Sequence, residues 1–105
     1  MNKEEVIMIA MNVILHAGNA RNYIREAGDK LAKNDLEGIE EILQKAENEI
    51  IQSHSSQTNA LHAEANGDKV EMTILFSHAQ DILMTTESEL FMVKTLYGCL
   101  KAVIK

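Results

Sequence analysis

A chain of 105 residues has room for one domain, whose folding normally removes roughly two-thirds of the unfolded surface from water. Its 46% hydrophobic residues include two Tyr, two Phe and no Trp, with five Gly and no Pro, so the core must come from Leu, Ile, Val, Met and Ala, mostly good helix formers. Sixteen acids against ten bases give a net charge of -6, which repels nucleic acid and anionic lipid and excludes both as natural partners.

The first predicted element is a helix over about residues 3–32. Val6, Ile9, Val13, Ala17, Ala20, Ile24, Ala27 and Leu31 recur at three and four residues, the period of one helix face. Asn2 with Glu5 three residues on reads as a capping pair. Gly18 and Gly28 each weaken this helix by up to about 1 kcal/mol relative to Ala, so they are expected to admit a close neighbour. The apolar residues near the N-terminus are soon interrupted by Asn12, His16 and Asn19. Neither a signal peptide nor membrane insertion is expected, and the expected location is cytoplasmic. The single Cys99 closes no internal disulfide.

Lys33-Asn34-Asp35 breaks the period, and Asp35 is placed to accept a hydrogen bond from the first turn of a second helix over about residues 36–65. Leu36, Ile39, Leu43, Ala46, Ile50 and Ile51 are its apolar positions. Asn66-Gly67-Asp68 reads as a stop and restart, Gly67 as the left-handed cap and Asp68 as the next N-cap. A third helix follows over about residues 70–104, with Lys101 and Lys105 complementing its dipole. Turns this short force neighbours antiparallel, so residues 1–105 are expected to form one all-α domain, an up-down-up bundle of three helices each roughly 45 Å long.

The third helix is apolar in more than one direction. Leu75, Ile82, Leu90, Val93, Leu96 and Leu100 lie to one side, while Ile74, Met84, Phe91 and Met92 spill onto others. Two partner helices leave one face uncovered, which implies a further partner, most simply another copy of the chain.

Positions 74, 78, 81, 85, 88, 92 and 95 follow a coiled-coil step and read Ile, His, Asp, Thr, Ser, Met, Thr. This stripe is either simply solvent face or an interface between copies. It holds one acid, unlike the Glu- and Lys-rich outer faces of the other helices. One His and one Asp are too few for a metal site in a single chain, whereas symmetry multiplies them. Carboxylates meeting on an axis raise one another's pKa, and a hard divalent cation such as magnesium relieves that. His78 suits a nucleophile better, since a neutral imidazole can attack a phosphoryl group and carry it. Gln80 and Thr85 can supply hydrogen bonds.

Phe76-Ser77-His78-Ala79-Gln80-Asp81-Ile82-Leu83-Met84-Thr85-Thr86 resembles the active-site segment of the IIA component of the lactose/cellobiose (chitobiose)-type sugar phosphotransferase system. Ala17-Gly18-Asn19-Ala20-Arg21 and His54-Ser55-Ser56-Gln57-Thr58 resemble two further family segments in the same order. Asn19 departs from the Asp common there. The resemblance implies a phosphotransferase component with a phosphohistidine intermediate. His78 would accept phosphate from the histidine-containing phosphocarrier protein and pass it to the IIB component for sugar uptake, with Gln80 supporting the phosphoryl site. It also implies a homotrimer whose third helices form a coiled-coil axis, with one Mg2+ per trimer held by Asp81 of each chain.

Two rivals make different demands. The His module of two-component relays carries Lys and then Gly soon after its His, where this chain has Gln80-Asp81; a helical scaffold would leave His78 dispensable. His16, His54 and His62 are expected to be packing or surface residues, the six Met core filler, and Cys99 a small buried hydrophobe.

Overall fold

The structure, a computed structural model, describes residues 1–71 and 73–104. Asn2 opens helix α1 (Lys3–Ala32) through a reciprocal capping box. Its Oδ1 accepts from the Glu5 amide at 2.8 Å, and its own amide donates to Glu5 Oε1 at 3.2 Å. The helix closes through Asn34, whose φ of 58° places it in the left-handed region. The Asn34 amide then reaches the Leu31 carbonyl and the Asp35 amide the Lys30 carbonyl, the double closure of a Schellman motif. Lys30 Nζ meets Asp35 Oδ2 at 3.0 Å across this turn and holds the Asp35 carboxyl below its usual range.

Helix α2 (Ile39–Ala65) begins three residues later than its sequence suggests. Asp35 Oδ1 accepts from the Glu37 amide at 3.2 Å, which makes a local turn instead of an N-cap, and Gly38 enters the helix at φ 75° with no side-chain cap. A left-handed Gly67 ends α2, its amide bonding the Glu64 carbonyl and the next amide the Ala63 carbonyl. Helix α3 (Ile74–Val103) also starts late, because Thr73 is the residue whose hydroxyl caps it, accepting from the Phe76 amide at 3.0 Å. Asp68, expected as that cap, instead holds the Met1 ammonium. Lys101 lies in the last turn of α3 as expected, whereas the predicted dipole role of Lys105 falls outside the described residues, as does Met72.

Cross-helix pairs fix the topology. Asn12 with Ser56 and Asn19 with Glu49 run in opposite order along α1 and α2. Glu40 with Lys101, Glu47 with Lys94 and His54 with Glu87 do so along α2 and α3. The helices therefore alternate up, down, up, with α1 and α3 parallel, in a rod of 54 × 20 × 18 Å. Each helix turns one heptad stripe inward: Val6, Ala10, Val13, Ala17, Ala20, Ile24, Ala27 and Leu31 from α1; Ile39, Leu43, Ala46, Ile50 and Ala60 from α2; Phe76, Ala79, Leu83 and Leu90 from α3.

Hydroxyl side chains interrupt this core where the sequence pattern gives no warning. Ser53, Ser56 and Thr86 are buried. Ser53 Oγ donates to the Val13 carbonyl at 2.9 Å, and Asn12 Nδ2 donates to Ser56 Oγ at 2.7 Å, so their desolvation is compensated. Ile51, one of the apolar positions of the second helix, and Leu96, grouped with one side of the third, are exposed. Four Met expected as filler, Met8, Met11, Met84 and Met92, are exposed as well. Gly18 and Gly28 have nothing within 4 Å of where a Cβ would stand, so no close neighbour inside this chain accounts for them.

Candidate functional site

The sequence stripe on α3 emerges as one continuous exposed face. Ile74, His78, Asp81, Thr85, Ser88, Met92 and Thr95 are all open to solvent, and at about 100° per residue they lie opposite the buried row Phe76, Ala79, Leu83, Thr86 and Leu90. Ile74 is 91% exposed and Met92 61%, so large apolar side chains share this face with the polar ones. Cys99 continues the same step beyond Met92 and Thr95, which is why it is exposed and not buried as expected.

His78 stands just past the first turn of α3, a turn without acidic side chains. An anion there meets the positive end of the helix dipole and no carboxylate from that turn. Asp81 follows on the same face, exposed, with no cation within ion-pair distance of its carboxylate among the described residues. No group of three or more His, Cys, Asp or Glu able to hold a metal forms among the described residues of one chain. A lone hard oxygen donor thus fits a divalent cation only when further copies bring theirs.

Gln80 is not brought to His78 within the chain. Two residues turn the helix by about 200°, and Gln80 lines a cavity of about 270 Å3 with Ala60, Leu61, Glu64, Val70 and Phe76 on the side facing α2. Thr85 shares the outer face, but its hydroxyl is engaged. It donates to the Asp81 carbonyl at 2.9 Å and accepts from Arg21 Nη2 at 3.2 Å. Sequence reading missed this Arg21 link: Nε and Nη2 grip Glu89 Oε1 and Oε2 at 2.8 and 3.0 Å, a bidentate fork that raises the Arg21 pKa. The segment Ala17–Arg21 was the available signal, though its partner lies on another helix.

The remaining imidazoles are structural or peripheral. His54 Nε2 contacts Glu87 Oε1 at 2.7 Å between α2 and α3, and His62 is exposed. His16 Nδ1 lies 3.1 Å from Glu49 Oε1, which also accepts from Asn19 Nδ2 at 2.7 Å. The Asn19 bond first, then His16, holds the Glu49 carboxyl below its ordinary value. A carboxyl depressed by folding stabilises the fold above its unfolded pKa and loses that contribution as pH falls through the lowered value. Glu49→Gln should therefore cost about 1 kcal/mol at neutral pH and flatten the acid side of the stability profile. Urea midpoints from pH 7 to 3 check this; an unchanged slope would count against it.

Comparisons with known proteins place the chain as a whole. Residues 8–101 match a family described as PTS system, Lactose/Cellobiose specific IIA subunit. The chain is 35% identical over 86 residues to the lactose-specific EIIA component of the PTS of Streptococcus mutans, covering 82% of this chain and 83% of that one. It is 42% identical over 81 residues to the lichenan-specific phosphotransferase enzyme IIA component of Bacillus subtilis, covering 77% and 74%. The crystal structure of PtcA from S. mutans superposes with a TM-score of 0.92 at 35% identity, covering 96% of this chain and 99% of that one.

Proposed function

Since the chain belongs to the lactose/cellobiose-specific IIA family of the sugar phosphotransferase system, we propose that it carries the phosphoryl group on His78. An unprotonated ring nitrogen of His78 attacks the phosphorus of the phosphohistidine on the phosphocarrier protein. The donor's phosphorus–nitrogen bond breaks, its electron pair returns to the donor ring, and a new phosphorus–nitrogen bond forms on His78. The same exchange in the other direction delivers the group to the IIB component, which phosphorylates the incoming sugar. The observation that carries this reading is an exposed imidazole beside a helix N-terminus. That position lets a second protein reach it and favours the negative group it would bear.

The exposed stripe of α3 supports a homotrimer in which three such stripes meet at an axis, with Gln80 acting on the phosphoryl group of a neighbouring copy, since it cannot turn to His78 of its own. Asp81 of each chain would hold one Mg2+ there, a cation that supplies charge neutralisation for the gathered carboxylates. No described helix is long and apolar enough to cross a membrane, consistent with a cytoplasmic carrier that meets both partners in solution.

The test is transfer itself. Incubated with phosphoenolpyruvate, enzyme I and the phosphocarrier protein, the chain should gain one acid-labile, base-stable phosphate, detected by intact mass and mapped to His78. A chain that stays unphosphorylated contradicts the reading and favours a scaffold. For the assembly, Asp81→Leu should remain trimeric without added metal and gain stability in chelator, because it removes like charges from the axis. Light scattering that shows this variant dissociated would rule out that role for Asp81.

A further inference from the structure

The flanks of the exposed stripe differ in shape. On one side α1 and α3 enclose a groove of about 440 Å3 whose lining includes Ile24, Met92, Val93 and Leu96. Its wall opens at Gly28, where a Cβ would touch nothing. On the other side, toward α2, Met84 and Phe91 stand seven residues apart on α3 as a ridge, and Phe91 is 71% exposed.

We infer that the ridge of one copy seats in the groove of the next, with Phe91 as the knob. This rests on the homotrimer proposed above and adds which surfaces meet. Three observations favour a second copy of this chain as the occupant. Met92 belongs both to the outer stripe and to the groove, so the groove is continuous with the face on which copies are taken to meet. Groove and ridge also occupy the same level of α3, since the groove uses Met92, Val93 and Leu96 and the knob is Phe91. A rotation about an axis parallel to α3 then carries one onto the other without sliding, the condition for a heterologous contact to close into a ring instead of growing as a filament. Finally, Arg25 lines the groove and meets no carboxylate among the described residues. The face of an incoming aromatic ring offers its guanidinium a complementary partner.

In this arrangement the apolar residues left bare on both flanks of α3 are covered, and Gly28 acquires the close neighbour that the single chain lacks. Arg21, locked to Glu89 and Thr85, borders the same groove and keeps its polar edge fixed while the knob enters.

The experiment uses the full chain with Cys99→Ser, so that only introduced thiols react. Gly28→Cys and Phe91→Cys combined in one chain, treated with a short bismaleimide, should give a denaturing-gel ladder that ends at three chains. Either substitution alone should give no more than background. Phe91→Ser should raise the concentration of half-dissociation at least about tenfold. Bridging in the chain that carries Phe91→Cys without Gly28→Cys would mean ridge on ridge and would overturn the inference. So would a wild-type trimer whose 28 and 91 positions fail to bridge and whose Phe91→Ser variant dissociates no more readily, while leaving the trimer itself intact. A wild-type monomer by light scattering would remove the trimer reading first and this inference with it.

Discussion

Substituting Ala at His78 should abolish phosphoryl uptake completely and leave the fold in place. His78 is exposed and lies opposite the buried row of α3, so its loss should change unfolding free energy by no more than about 0.5 kcal/mol. The expected result is a chain with wild-type helix content and urea midpoint that shows no mass gain with phosphoenolpyruvate, enzyme I and the phosphocarrier protein. His16→Ala and His54→Ala are the matched controls. Each breaks a contact with a glutamate across helices, and each should still become phosphorylated. Phosphate surviving on the His78→Ala chain would move the acceptor elsewhere; phosphate lost equally in a control would point to damaged structure.

Leu83→Ala should be the most costly of the core truncations in α3. Leu83 is fully buried, one residue before the exposed Met84, and removing its side chain leaves a cavity in the core. Such changes cost about 2–5 kcal/mol, a large share of the 5–15 kcal/mol that typically holds a domain folded. Urea titration at one fixed chain concentration is the appropriate measurement, because assembly adds to apparent stability. A loss below about 1 kcal/mol would mean that the rod repacks far more freely than its heptad stripes suggest.

The parts legible in the sequence were those decided locally. Asn2 and Glu5 reach each other within one turn, so α1 begins and ends where its pattern says. The starts of α2 and α3 were misplaced because backbone geometry at Gly38 and a hydroxyl at Thr73 set them, and stronger-looking caps at Asp35 and Asp68 were drawn to Lys30 and to the Met1 ammonium. Ser53 and Thr86 escaped the core list because hydropathy treats a hydroxyl as polar, whether or not a carbonyl such as that of Val13 awaits it. At the site, the three-residue spacing of His78 and Asp81 announced a shared face, as found. Gln80 was grouped with them by adjacency in the motif, but helical rotation turns it toward α2.

Polar contacts between α2 and α3 recur every seven residues: Glu40, Glu47 and His54 on one helix face Lys101, Lys94 and Glu87 on the other. Exposed pairs of this kind contribute little energy, at most about 1 kcal/mol each. Their order carries more information than their strength, because the acidic partner changes sides at the third rung. Sliding α3 by one heptad in one direction would set Glu47 against Glu87; sliding it the other way would set His54 against Lys94. Apolar stripes alone tolerate either slip. The change of sides therefore acts as an alignment code that leaves a single vertical setting in which all three rungs are matched, and so fixes the height at which α3, and His78 with it, stands against α2.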